Sequence, residues 1–517
     1  MKAGFYNRLW LYYQFAEYKR FRDNLDNLKQ IQALKFQSYI IQNKDTRFGL
    51  DHKFKEIRKY SDYKRNVPII EDYDQILPYI DSIDAGKENI LFTDQTEFLE
   101  STSGSTSASK IIPYNKALKA EIQSAVAPWM CSLFKYNQAI FSGKSYWSIS
   151  PPLKNIDQKG GKKVILSDTD FFDPIAAQLL SKIMAVPSSL GNINRATTFY
   201  QQTWKYLLQE ETLSFISCWS PSFILKLFDF LQEHFEYIIK ISQISIARRK
   251  YLEAHYHGQT LDLPKIFPNL QLISCWQDGQ SAIWQPQLRE ISGQIFIQGK
   301  GVIMTEGVLT VPYTAEDPVL AYCSHFFEFR DPSGELYLAH QLQKGTQYEV
   351  IITTGGGLYR YNTHDLMECC GYTKSVPTFR FLGRTNQTCD LAGEKLSEWQ
   401  VNKICTEIIK TNTSINFLAL YPVIGVHSAY YTLLYESKEE ISEVHLKEYF
   451  SSRLNENPYY VQSINTGQLT SLQIRQLQPG RHKEIIQHFL NVSQIREGDF
   501  KMPLLFQPGF LKSVVGF

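Results

Sequence analysis

The sequence predicts an α/β protein with three parts: a large N-terminal domain of α/β layers, an antiparallel β-barrel-like subdomain, and a smaller mobile α+β C-terminal domain. Three observations lead there. A chain of 517 residues exceeds what one ordinary hydrophobic core organises. Two segments repeat the grammar of a buried strand followed by a helix: Phe215-Ile216-Ser217-Cys218-Trp219 before SPSFILKLFDFLQEHF, and Leu272-Ile273-Ser274-Cys275-Trp276 before QSAIWQPQLREI. Between about His325 and Leu382 the texture changes to short alternating strands (HFFEFRD, ELYLAHQL, YEVIITT, GLYRY, FRFLGR) broken by turns such as Pro332-Ser333-Gly334.

From Asn24 to about Ile41, Leu25, Leu28, Ile31, Leu34 and Ile41 recur near a 3.6-residue period, the mark of an amphipathic helix packed on a core. A loop-rich stretch through Pro68-Ile69-Ile70 follows, and the short apolar run Ile90 to Thr93 leads into a serine-rich segment. Beyond Arg384 the pattern returns to mixed helix (LSEWQVNKICTEIIK) and strand (FLALYPVIGV, AYYTLLYE). These changes divide the chain into a large domain over 1–383, a hinge over 384–396 and a small domain over 397–517 that carries Lys501.

Composition excludes several classes of function. A net charge of +2 without long blocks of one sign leaves no electrostatic footprint for nucleic acid. Eight cysteines form no CxxC pair and no Cys/His group at metal-ligand spacing, which fits a reducing, cytoplasmic location. Arg8, Glu17, Lys19 and Arg20 interrupt the aromatic N-terminus, so it does not read as a signal peptide, and no run of about 18 apolar residues predicts a membrane span. The expected partners are small molecules acting on a monomer.

The serine-rich segment Ser101-Thr102-Ser103-Gly104-Ser105-Thr106-Ser107-Ala108-Ser109-Lys110 would make a poor helix or strand. It offers backbone N–H groups, rotatable hydroxyls and one cation, a set that suits a polyphosphate. A flexible serine linker has the same composition, but this one lies inside an otherwise ordered region. The GxxxxGK[ST] order of a P-loop is absent.

Ser103 to Lys110 resembles, position by position, the SGTTGxPK phosphate loop of adenylate-forming enzymes, with Ser107 and Ser109 in place of the second glycine and the proline. Further segments follow in order. Gly299-Lys300-Gly301-Val302-Ile303-Met304-Thr305-Glu306-Gly307 resembles a second motif of those enzymes. Gly357-Leu358-Tyr359-Arg360-Tyr361-Asn362-Thr363-His364-Asp365 resembles GLYRYRLGD, Phe379 to Arg384 resembles the strand and arginine before an interdomain hinge, and Gly498-Asp499-Phe500-Lys501-Met502-Pro503 resembles NQYKxP. Together they identify a resemblance to the auxin-responsive Gretchen Hagen family of acyl-acid amido synthetases, its bacterial members in particular, within the superfamily that includes acyl-CoA synthetases and luciferases.

The resemblance implies an ATP-dependent ligase that adenylates a small carboxylic acid and passes the acyl group to an amine, an amino acid in this family. It implies that Thr102, Ser103, Gly104, Ser105, Thr106, Lys110, Thr305, Asp365 and Arg384 bind ATP or AMP, Asp365 on the ribose. Glu306 would hold Mg2+, and Lys501 would act in catalysis beside it. Val302 or Ile303 stands where the family often has an adenine-stacking tyrosine, so another aromatic is expected there. Asn362 and His364 replace arginine and glycine, and His364 reads either as a base or as a hydrogen-bonded structural residue. The competing readings are an acyl-CoA ligase and a non-catalytic regulatory protein that binds nucleotide and acid.

Overall fold

Short runs that are apolar on both faces meet the requirement of a parallel sheet, which is covered on both sides. Three of them, Ser145–Trp147, Phe215–Ser217 and Leu272–Cys275, are fully buried and lie side by side in chain order with the partly exposed edge strand Phe296–Gly299, every neighbouring pair parallel. The helices Lys116–Tyr136, Pro221–Glu233 and Gln285–Ser292 share a buried cluster with them. Both predicted strand-then-helix units are present, the second with the short 3-10 turn Gly279–Trp284 in between. The structure, a computed structural model, describes residues 2–101, 110–148, 174–193, 195–256, 261–314, 317–425, 429–465, 468–493, 500–511 and 514.

The amphipathic helix is Leu28–Gln42, and the period marks its core face only in part, at Leu28 and Ile31. Leu28, Gln32, Phe36, Tyr39 and Ile40 are buried, whereas Leu34 and Ile41 are exposed. A polar residue holds the centre of that face because its amide nitrogen and oxygen are both hydrogen-bonded. The Gln32 amide donates to the carbonyls of Tyr322 (2.8 Å) and His325 (2.7 Å) and accepts from Phe327 N–H (2.9 Å).

These contacts tie the helix to an antiparallel sheet of seven strands. In spatial order they are Leu336–Leu338, Phe326–Arg330, Gln347–Thr353, Tyr361–Thr373, Val376–Arg384, Val319–Leu320 and Thr310–Val311. The GLYRY segment is strand only from Tyr361 onward, because Gly357 (φ 84°) and Arg360 (φ 50°) turn the chain. Arg360 pays for that turn with a buried pair to Glu328 at 2.9 Å and a hydrogen bond to the Val67 carbonyl at 2.8 Å. The strand before the serine-rich segment is likewise displaced. Ile90 to Thr93 has no regular structure, and Phe98–Ser101 pairs antiparallel with Ile111–Tyr114.

A third buried cluster runs from Cys389 to Leu511 and takes in Trp284. It packs the helix Glu398–Thr411, started by the Ser397/Gln400 capping box, on a three-stranded sheet. Ile415–Ile424 and Ala429–Ser437 are antiparallel and Gln473–Gln476 is parallel to the latter, so this part is α+β. Residues 504 and 506 bond to the Leu420 backbone and bring the preceding segment, with Lys501, to the sheet edge.

One buried carboxylate joins the layers. Glu121, on the helix Lys116–Tyr136, accepts hydrogen bonds from His325 Nδ1 (3.0 Å), Gly355 N–H (2.9 Å) and Tyr39 Oη (2.5 Å), with Lys35 Nζ at 3.4 Å. Burial alone would raise its pKa. Lys35, His325 and Tyr39 outweigh it and hold the group at about 2, below the ordinary 4.5. Between those values the unfolded chain binds the proton more tightly than the folded one. The stability that Glu121 contributes is therefore complete above about pH 4.5 and lost as pH falls toward about 2. A Tm-versus-pH series should show that limb in the wild type, and Glu121→Gln should flatten it.

Candidate active site

The side chains at the carboxyl ends of parallel strands face a crevice. Here those ends present Ser217 and Trp219, Trp276, and Lys300. The Trp219 and Trp276 rings lie 5.7 Å apart. Lys300, 1% exposed, places its ammonium 4.1 Å from the Trp219 ring centre and donates to Ser217 Oγ at 2.8 Å. The Lys501 ammonium stands 4.4 Å from the Trp276 ring centre. Lys501 is aimed outward because Phe500 and Met502, on either side of it, are buried in the C-terminal core.

From Lys300 the chain enters a hairpin in which Ile303 pairs with Val308 and Met304 with Gly307. Thr305 and Glu306 therefore form its two-residue tip. Tyr114 Oη donates to the Thr305 carbonyl at 2.6 Å, and Glu306 is buried. Around it stand two cations and a phenol. Burial lowers the pKa of Lys110, Glu306 opposes that fall, and Arg384 adds to it. Lys110 Nζ donates to Tyr361 Oη at 3.0 Å and lies over the rings of Tyr361 and Tyr73. Burial first, and then Glu306, pushes the Tyr361 phenol far above its ordinary value, so it stays neutral.

Sheet register supplies the last pair. Asp365 and Arg384 are directly opposed on neighbouring antiparallel strands, with Arg384 Nε 3.0 Å from Asp365 Oδ1. Asp365 raises the pKa of Arg384, against burial and with help from Glu306, and keeps it ionised. The other oxygen, Asp365 Oδ2, is buried and has no hydrogen-bond partner among the described residues. A buried acceptor left open in this way costs about 1 to 3 kcal/mol and is suited to a ligand hydroxyl.

Lys110, Thr305, Glu306, Asp365 and Arg384 are thus brought together, and Lys501 projects at the carboxyl end of the parallel sheet. Thr102, Ser103, Gly104, Ser105 and Thr106 lie outside the described residues. His364 is structural: Nε2 donates to the Glu71 carbonyl at 2.8 Å, and Asn362 holds Glu71 Oε2 at 2.7 Å. Sequence reasoning did not single out Trp219, Trp276, Lys300, Tyr73 or Tyr361 as site residues. The signal for the tryptophans is their repeated place just past a buried strand, each following a Ser-Cys pair.

The arrangement fits a Mg2+ ion shared with phosphate. Mg2+ is usually held by one or two carboxylates plus phosphate oxygens, and Glu306 is one buried carboxylate between two cations that suit phosphate. Among the described residues no group of three or more His, Cys, Asp or Glu forms a site that could hold a metal without a substrate.

Comparison with known proteins gives concordant matches along the chain. Residues 17–297 match the GH3 family N-terminal domain, residues 318–384 the GH3 family central domain, and residues 397–509 the GH3 family C-terminal domain. The chain is 22% identical over 433 residues to the indole-3-acetic acid-amido synthetase GH3.15 of Arabidopsis thaliana, covering 74% of this chain and 72% of that protein. It is 21% identical to the jasmonoyl-L-amino acid synthetase JAR6 of Nicotiana attenuata, covering 86% and 85%. The solved structure of the Arabidopsis GH3.15 acyl acid amido synthetase with 2,4-DB superposes with a TM-score of 0.86 at 19% identity, over 97% of this chain and 96% of that one. A 2-hydroxyisobutyryl-CoA ligase in the postadenylation state shares the fold more distantly, with a TM-score of 0.50 at 11% identity over 93% and 88%. With one family's N-terminal, central and C-terminal domains matched in order over most of its length, the chain belongs to the GH3 family.

Proposed function

We propose that this protein is an ATP-dependent acyl-acid amido synthetase: it adenylates a small carboxylic acid and transfers the acyl group to an amine, most naturally an amino acid. The observation that carries the reading is the cluster of Lys110, Glu306, Asp365 and Arg384, with one buried carboxylate oxygen open. The names of its GH3 relatives, which are amido synthetases for indole-3-acetic acid and for jasmonate, support the same reaction class. Eight free cysteines suit a reducing compartment such as the cytoplasm. No helix among the described residues is long and apolar enough to cross a membrane.

A carboxylate resists attack because oxide is a poor leaving group, and ATP supplies a better one when the acid oxygen displaces pyrophosphate at the α-phosphorus. Bound Mg2+ would add neutralisation of phosphate charge. The residues of the chain do the positioning. Asp365 Oδ2 accepts from the ribose hydroxyls, Arg384 holds Asp365 in register, and Lys110 faces the phosphates. Glu306 would hold the metal, and Lys501 stabilises charge developing in the transition state. The domain 397–517, moving about 384–396, carries Lys501 in for adenylation and out for the amine; water excluded meanwhile cannot hydrolyse the acyl adenylate.

The test is a pyrophosphate-release screen of carboxylic acids, followed by mass spectrometry of the products with mixed amino acids or with coenzyme A. An amide product is expected. A thioester would replace this reading with the acyl-CoA ligase, and no pyrophosphate from any acid would leave a binding protein.

Trp276 should matter to the first step through its contact with Lys501. A cation–π contact contributes roughly 0.5 to 2 kcal/mol, so Trp276→Leu should slow acid-dependent pyrophosphate exchange about twofold to thirtyfold. Trp276→Phe should retain most of the rate. Equal rates for the two variants would show that the ring face plays no part.

A further inference from the structure

We propose that His325 and Glu121 are positioning residues for Glu306, setting the Mg2+ affinity of the site from inside the core. The proposal rests on the ligase reading for the role of Glu306, and on hydrogen-bond geometry for the rest.

His325 is fully buried and both ring nitrogens are engaged. Nε2 lies 3.0 Å from the Val308 N–H and Nδ1 lies 3.0 Å from Glu121 Oε2. A ring nitrogen that accepts from a backbone N–H carries no hydrogen of its own, which leaves Nδ1 to donate to Glu121. The ring can reach no substrate. What it reaches is the hairpin that ends in Glu306: Val308 pairs with Ile303, and the adjacent Gly307 with Met304, across a two-residue tip.

The fit is close. A Cβ built on Gly307 would lie 2.7 Å from His325 Nε2, so glycine is what lets the imidazole approach the hairpin backbone. Tyr114 holds the tip at the Thr305 carbonyl, and His325 holds the returning arm at Val308. Without His325 the fully buried Val308 would have an unpaired N–H, and the arm would shift to find water or another acceptor. Glu306, two residues away, would move with it.

Glu121 extends this to the second carboxylate of the site. The same Oε2 that accepts from His325 accepts from Gly355 N–H, while Asn115 on the same helix cap donates to the Gly355 carbonyl at 2.8 Å. Gly355 opens the turn that leads into the strand bearing Tyr361 and Asp365. One ionised side chain therefore registers the Glu306 hairpin and the ribose-facing strand against the same helix.

The full-length variants His325→Leu, His325→Gln, Glu121→Gln and Gly307→Ala test this. Two readouts are used: the half-saturating Mg2+ concentration and KM values in acid-dependent pyrophosphate release, and Mg2+-dependent binding of a fluorescent non-hydrolysable ATP analogue, which needs no turnover. Loss of a residue that orients a metal ligand typically costs ten- to a hundredfold in metal affinity. His325→Leu and Gly307→Ala should therefore raise half-saturating Mg2+ about tenfold, with KM for the acid changed less than about twofold and Glu121→Gln intermediate. His325→Gln, whose amide can both donate and accept, should return within about threefold of wild type.

Wild-type Mg2+ dependence in folded His325→Leu overturns the proposal, as does a loss shared equally by Mg2+, ATP and acid and explained by the unfolded fraction. Should His325→Leu not fold, Gly307→Ala, which keeps the histidine and displaces it, decides in the same way. If no acid releases pyrophosphate from the wild type, the ligase reading fails, and the analogue-binding series still decides the positioning claim.

Discussion

Replacing Lys501 with alanine should lower acid-dependent pyrophosphate exchange by about 10²- to 10³-fold, the usual cost of removing one preorganised donor from a site of developing charge. The structure gives reason to expect a specific loss. Lys501 sits between two residues buried in the C-terminal core, Phe500 and Met502, so truncating its side chain leaves the anchors of the segment in place. The ammonium is held at the Trp276 face, which belongs to the large domain, so only one part of the catalytic cycle can use it there. Binding of ATP and aminolysis of a chemically prepared acyl adenylate should both persist in Lys501→Ala. Exchange at the wild-type rate would remove the lysine from adenylation, and equal loss of both half-reactions would point to a general structural role.

The second large effect is expected at Asp365. Its Oδ1 is taken by Arg384 and its Oδ2 is buried and open, so the side chain is already fixed where two ribose hydroxyls could donate to it. Hydrogen bonds to a charged acceptor contribute roughly 1.5 kcal/mol each at the lower end, so Asp365→Ala should raise KM for ATP about 100-fold. KM for the acid should move much less. Stability should fall little, because the Arg384 side chain is 32% exposed and can turn to water once its partner is gone. A KM for ATP within twofold of wild type, measured on protein with an unchanged unfolding midpoint, would exclude the ribose contact.

The degree to which this site could be read from the chain differs residue by residue. Glu306, Asp365 and Arg384 lie in segments whose residue order carries their chemistry, and the antiparallel strands Tyr361–Thr373 and Val376–Arg384 set the last two opposite each other. His364 could not be assigned in the same way. Both its candidate roles suit a histidine beside an aspartate, and only the nearby Glu71 carbonyl, contributed by a loop almost 300 residues earlier, makes it structural. Gln32 shows the same limit in the core. The helical period nominated Leu34 and Ile41 for burial, yet an amide with three backbone partners occupies the buried face.

By itself the sequence determined the α/β class, the change to antiparallel strands after His325, and the chemical types of the residues proposed to bind a nucleotide. Those properties are carried by hydrophobic period and by residue order over a few neighbouring positions. Only the tertiary structure decided that Lys501 meets Trp276, that Lys110 and Arg384 flank Glu306, and that Glu121, 204 residues from His325 along the chain, steadies the hairpin beneath it. The physical reason is that distances between remote residues come from how whole layers pack, and no local pattern records that packing.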